Sequence, residues 1–244
     1  AYGGAIWLEN SEAVIIDCLF SGNTAVGSYS NRYGWGGAIC AYNNTSLFVA
    51  NSIFEHNIAT GVGGGTGRGG AISTMASSNL TVSDSSFIDN ETAGSAGGRG
   101  GAIYSIEGTL NAVNCFFSGS RADYGSAIQA YTATISNVTI VDANVGYNAI
   151  EITGITLNSL LINSIIRGSN TVINCPTTYS CVEGGQPGIG NFSVDPMFET
   201  GPQGDYYLSQ ASSGQAADSP CIDAGDPNSV LIIGTTRTDE LDDT

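Results

Sequence analysis

Lysine is absent from the 244 residues. The six basic side chains are all arginines (Arg32, Arg68, Arg99, Arg121, Arg167 and Arg237) against 22 acidic ones, a formal charge of −16. Nucleic-acid binding needs a positive footprint that displaces counterions from phosphates, so no nucleic-acid partner is expected. An anionic membrane surface is unsuited for the same reason. Long apolar runs are missing too: residues 13–16 typify stretches of four or five, against the roughly 20 of a spanning helix. No membrane insertion by this segment is therefore expected. Proline is missing before residue 176, and all six prolines (Pro176, Pro187, Pro196, Pro202, Pro220, Pro227) follow it. Because proline removes a ladder donor and is kept out of central strands, regular pairing should run to about residue 175 and then end. One histidine, His56, and no Cys-x-x-Cys leave no zinc-binding set.

What is present is glycine, 34 residues, and a hydrophobic fraction of 41 %, enough for a packed core. The glycines fall in a repeat. Gly-Gly-Ala-Ile stands at 3–6, 36–39, 69–72 and 100–103, then degrades to Gly125-Ser126-Ala127-Ile128 and Asn148-Ala149-Ile150. Phe-x-x-Asn runs in step, with Phe20, Phe54, Phe87 and Phe117 at its head and Ile140 and Ile166 in the last two copies. Three residues before each head stand Asp17, Asn51, Asp84, Asn114, Asn137 and Asn163. Asn and Asp tolerate left-handed bends, and stacked copies could hydrogen-bond along an axis as a ladder.

Apolar residues recur at spacing two in short runs, the pattern of strands, and no unit carries ten residues of helical periodicity. A single coil of this kind cannot bury its apolar face, whereas a stack can. The expected fold is all-β: a right-handed parallel β-helix of about seven coils. Residues 1–175 would form the coils, and 176–244 an irregular last coil and a capping segment. The repeat isoleucines are separated by 33, 33, 31, 25 and 22 residues. The surplus lies at one corner of the first three coils, in inserts 27–35, 61–68 and 94–99. Ala1-Tyr2-Gly3-Gly4 reads as the interior of a repeat, so the chain is expected to be a piece of something longer.

Together the two motifs make residues 1–170 resemble the polymorphic outer-membrane-protein repeat family. The resemblance implies a right-handed β-helix at the cell surface or outside the cell, in proteins several of which are adhesins. Residues 179–185, 188–191, 195–198, 204–208, 219–226 and 235–239 are similar to the C-terminal region of bacterial β-helix surface proteins that end in a variable anchor.

Candidate chemistry is sparse. Polysaccharide-cleaving β-helices need carboxylates clustered on neighbouring rungs. The outward position after each repeat isoleucine instead reads Trp7, Cys40, Ser73, Tyr104, Gln129 and Glu151, a mixed aromatic and polar row that would face solvent, a sugar chain or a partner. No enzymatic activity and no cofactor are expected. Arg32, Arg68 and Arg99 each lie in one of the three inserts, near Tyr33 and Trp35, and are the candidate binding residues. Alternatively, they order the loops. The partner would be a protein or glycan at a surface, or another copy. A structural calcium ion at Asp223 and Asp226, within an acidic tail that includes Asp239, Glu240, Asp242 and Asp243, is a weaker possibility. Cys175 and Cys181 flank a short loop and are the candidate disulfide. The leading expectation is a non-catalytic extracellular module acting in adhesion or assembly. The alternative is a polysaccharide-binding or polysaccharide-degrading β-helix.

Overall fold

The computed structural model describes residues 1–29, 32–143, 148–154, 158–168, 172–173, 175–201 and 204–229. The acidic residues Asp239, Glu240, Asp242 and Asp243 lie outside the described residues. Three faces of parallel strands wind as a β-helix, each strand pairing with its counterpart one coil away. On the first face the register joins Ile6, Ile39, Ile72, Ile103, Ile128, Ile150 and Val172. The second joins Ile15, Val49, Val82, Ala112, Ile135, Leu161 and Thr177. The third joins Phe20, Phe54, Phe87, Phe117, Ile140, Ile166 and Val182. Each face therefore has seven rungs, and the fold class is the one the repeat implied.

Like residues fill the interior as columns. Phe20, Phe54, Phe87 and Phe117 stack with ring centroids 4.8, 5.0 and 4.7 Å apart and planes within 6° of parallel. That spacing is the strand separation itself, about 4.8 Å. Phe54, Phe87 and Phe117 are fully buried, whereas Phe20 in the first coil keeps 9 % of its surface.

Three columns of left-handed backbone turn the corners. Asp17, Asn51, Asp84, Asn114, Asn137 and Asn163 all have φ between 47° and 53°, between the second and third faces. A second column, unnoticed in the sequence, is Gly22, His56, Asp89, Gly119, Asp142 and Gly168. The third is the first glycine of each Gly-Gly, namely Gly3, Gly36, Gly69, Gly100 and Gly125. At the second glycine the constraint is space: a Cβ on Gly70 would sit 2.1 Å from the carbonyl oxygen of Gly101 in the next coil.

The axial hydrogen-bond ladder is not where the sequence suggested. Among the described residues one bond runs along the bend column, from Asn114 Nδ2 to Asp84 Oδ1 at 2.7 Å, while Asn163 bonds out of the column to the tail. Those side chains are exposed or half-buried and turn outward. The buried ladder belongs to the last residue of Phe-x-x-Asn. Asn23 donates through its backbone N–H and Nδ2 to Asn57 Oδ1 (3.0 and 2.9 Å), and Asn57 does the same to Asn90 Oδ1 (3.1 and 3.0 Å). Asn57 Nδ2 also donates to the Phe20 carbonyl, and Asn90 Nδ2 to that of Phe54. The amide suits this role because it offers donor and acceptor along one axis.

Beyond the seventh rung, the tail turns back along the outer side of the third face. Phe192 bridges Cys181, and a hairpin of Phe198–Gly201 and Gly204–Leu208 follows. Its Tyr206 packs on Phe116 (5.7 Å) and Phe198 (5.4 Å) and donates a hydrogen bond from its hydroxyl to Asp142.

Two outcomes follow. Phe87→Ala should cost about 3–5 kcal/mol in urea unfolding, and Phe20→Ala clearly less, because the terminal ring has a neighbour on one side only. Tyr206's pKa is raised from its ordinary 10.0 to about 12, first by donation to Asp142 and then by burial. A raised folded-state value means this contribution is whole below pH 10.0 and fades as pH climbs through about 12. Melting curves across that window should show a smaller alkaline loss for Tyr206→Phe than for the parent chain.

Candidate functional site

The corner inserts do more than lengthen the coils. The residue before each Gly-Gly forms a further parallel column, in the order Tyr2, Trp35, Arg68, Arg99, Tyr124. This column runs aromatic, aromatic, cation, cation, aromatic. Tyr2 lies parallel to Trp35 at 6.5 Å and to Trp7 at 5.9 Å. The Arg68 guanidinium carbon sits 4.1 Å from the Trp35 ring centre, 4.5 Å from Tyr33 and 5.5 Å from Tyr104. Arg99 lies 5.2 Å over Tyr124. Such contacts contribute about 0.5–2 kcal/mol each, more where water is excluded.

This column roofs part of the outer side of the first face. Trp7, Cys40, Ser73, Tyr104, Gln129 and Glu151 are in register there. The sequence suggested a solvent-facing row, yet Cys40, Ser73, Tyr104 and Gln129 are at most 2 % exposed. Trp35, Cys40, Met75 and Tyr104 pack together as a second small core outside the coil wall. Three buried polar atoms in this region, Ser73 Oγ, Gln129 Oε1 and Arg99 Nε, make no hydrogen bond among the described residues. Gln129 Nε2 donates to Glu151 Oε2 at 2.7 Å.

Of the five candidate binding residues, four come together. Tyr33, Trp35 and Arg68 touch directly, and Arg99 is the next rung. Arg32 stands apart: it is exposed, and its carbonyl accepts from Val62 N–H across the inserts. Arg121 also departs from the column, bridging Glu91 on another edge. The two members the sequence reading missed, Tyr2 and Tyr124, were marked by their places directly before Gly3 and Gly125. Trp7, Tyr2 and Tyr33 are 55, 41 and 37 % exposed, so the patch meets solvent along its aromatic edge.

The electrostatics are unusual for so acidic a chain. Among the described residues neither Arg68 nor Arg99 makes an ion pair; the single such pair is His56 with Asp89, at 3.9 Å on the surface. Arg68 donates Nε–H to Thr66 Oγ1 at 3.1 Å. Its pKa is lowered, chiefly by burial, with the Arg99 charge acting in the same direction and Tyr104 opposing both. Burial raises the Tyr104 phenol, and the two arginines pull it back down.

Elsewhere, Asp226 Oδ1 accepts from Asn228 N–H and Nδ2, and Asp226 N–H donates to Asn163 Oδ1. Among the described residues no three His, Cys, Asp or Glu side chains converge as a metal site would require. The expected disulfide needs correction. Cys175 points inward and belongs to the main core, whereas Cys181 alternates with inward Val182 and faces out. The wall of the coil separates them.

A family model of the Chlamydia polymorphic membrane protein repeat matches residues 17–42. That span runs from the Asp17 bend through Phe20 and Asn23 to the Gly-Gly-Ala-Ile of the second coil, so it takes in one copy of each of the two motifs. No curated protein and no solved structure matches the chain.

Removing the Arg68 charge should push the Tyr104 phenol further up, since a nearby cation favours phenolate. An ultraviolet alkaline titration of Arg68→Gln, with Tyr104→Phe as the assignment control, should show this one tyrosine ionising later than in the parent.

Proposed function

We propose that the chain is a non-catalytic β-helical module of a cell-surface or secreted protein, and that it makes contact through the Tyr2–Trp35–Arg68–Arg99–Tyr124 corner. The observation that supports this most is the pair of adjacent, ion-pair-free arginines held between aromatic rings in a chain of net charge −16. The buried repeat positions are occupied by stacking, and this corner is where the sequence departs from like-on-like apolar filling. Aromatic faces with a cation between them suit a partner that carries flat apolar surfaces beside carboxylate or sulfate groups. An acidic glycan and an acidic protein loop both have that chemistry. Surface display is supported by the membrane-protein repeat matched at residues 17–42. The non-catalytic reading is supported by the outer row of the first face, where Glu151 is the sole carboxylate and is held by Gln129.

The test is a binding screen of the purified chain against acidic and neutral polysaccharides and against cell surfaces, with product formation followed in the same samples. Binding without turnover is expected, weakened at least tenfold by Arg68→Gln and by the pair Trp7→Ala with Tyr33→Ala. Turnover of any polysaccharide that disappears in Glu151→Gln would replace the adhesive reading with an enzymatic one.

A further inference from the structure

The tail that folds back along the third face brings a second cysteine to Cys181. Cys181 sits on the seventh rung, paired with Ile165 of the sixth, and is 1 % exposed. It closes an outward column that runs Leu19, Ile53, Ser86, Phe116, Thr139, Ile165, Cys181. Cys221 lies 40 residues further on, in the turn that begins at Ser219, where Ile222 N–H donates to the Ser219 carbonyl and Cys221 N–H to Ser219 Oγ. The two sulfurs are hydrogen-bonding neighbours. Around them, the Val194 carbonyl lies 3.3 Å from Cys181 Sγ and also accepts from Arg167 Nη1 at 3.3 Å. Ser209 and Ser219, both buried, pin the turn through a backbone hydrogen bond of 2.7 Å. Two ordered segments thus hold the thiols face to face.

We infer that Cys181 and Cys221 form a disulfide that clips the C-terminal tail to the outer wall of the last coil. Burial leaves Cys221, which is partly exposed, as the sulfur an oxidant reaches first. With a small disulfide such as oxidised glutathione, Cys221, whose own pKa is raised by the hydrogen bond it gives to Cys181, passes its proton to the Cys181 sulfur and attacks; one glutathione leaves, takes up that proton and departs as thiol, giving a mixed disulfide. Cys181 sulfur then attacks Cys221 and expels the second glutathione. The two protein thiols lose two electrons and two protons; the oxidant's S–S bond gains both and becomes two thiols. The surroundings favour the second step. Donation from Cys221, aided by the Arg167 charge, brings the Cys181 pKa down to about 6 against the pull of burial. The low value makes Cys181 the member of the pair that carries the negative charge.

Other contacts fasten the tail on either side of this pair. Tyr206 reaches Asp142 on one side, and Asn163 Nδ2 donates to Ser229 Oγ at 2.7 Å on the other. A covalent clip between them closes a loop of 40 residues, and by loop closure alone it should raise the melting temperature of the chain by roughly 10 °C.

The experiment incubates the full chain with oxidised glutathione, alkylates the remaining thiols in acid, and maps disulfide-linked peptides after chymotrypsin. Cleavage at Tyr179 and at Tyr206 or Tyr207 separates Cys175, Cys181 and Cys221. A linked pair carrying Cys181 and Cys221 is expected, with alkylated Cys175. The oxidised chain should melt roughly 10 °C above the reduced one. Cys175→Ser should keep that difference and Cys221→Ser abolish it. Alkylation of both Cys181 and Cys221 after oxidation, or linkage of Cys175 to Cys181, would overturn the inference. The peptide map on the parent chain decides this even where Cys221→Ser weakens the tail by itself.

Discussion

Parallel, in-register pairing between successive coils is the constraint from which the rest follows. Each strand takes its hydrogen-bond partners from the equivalent strand one turn away, so every side chain meets its own counterpart at the strand spacing. A residue is suitable inside the rod only where it can stack on a copy of itself. Phenylalanine meets this with nearly coplanar rings at 4.7–5.0 Å. Buried asparagine meets it because its amide donates on one side and accepts on the other, as Asn57 does between Asn23 and Asn90. Aspartate at that position would set two acceptors against each other, and a serine is too short to span. At Ser120 the amide ladder ends, and its hydroxyl is buried without a partner among the described residues.

The same rule makes the outer corner informative. Stacking a cation on a cation is unfavourable, and burial of a guanidinium adds a desolvation cost. Arg68 and Arg99 are nevertheless adjacent rungs, with aromatic rings above and below the pair. The ring quadrupoles offset part of the repulsion, and the inserts by which the first coils exceed the later ones carry both arginines together with Tyr33 and Trp35. Loop growth, aromatic content and positive charge thus coincide at one edge of a rod that is otherwise acidic.

Much of the fold was legible in the sequence because the repeat is a direct record of the stacking. Gly-Gly-Ala-Ile and the phenylalanine column specified rung, face and register, and the structure realises them without a slip in the first four coils. Side-chain direction was less legible. Asp17 and its equivalents were recognised as bends, yet the bend turns their side chains outward, so the buried ladder falls to the asparagine six residues later. The row headed by Trp7 was correctly assigned to the outer side. That it is roofed depends on loops folding back, which no periodicity records. The Tyr2–Tyr124 column could have been read from the residue preceding each Gly-Gly. It escaped because its members share position and not chemistry. Cys175 and Cys181 were paired by proximity along the chain, but alternation across the wall places one inside and one outside.

The tail illustrates how a solenoid manages a surface that its own repeat creates. In the third face the outward column is apolar at several rungs: Leu19 and Ile53 are 63 and 44 % exposed, whereas Phe116, Ile165 and Cys181 are sheltered. The difference is the returning tail, which supplies Tyr206 over Phe116 and Cys221 over Cys181. Because the tail is antiparallel within itself and irregular elsewhere, it cannot continue the in-register ladder of the coils. Its contacts with the coils include Tyr206 to Asp142, Asp226 N–H and Ser229 to Asn163, and Arg167 to the Val194 carbonyl, each of them partly in water and individually weak. A segment held in this way loses little by opening locally, so the proposed bond between Cys181 and Cys221 would convert a loosely held cover into a permanent part of the rod.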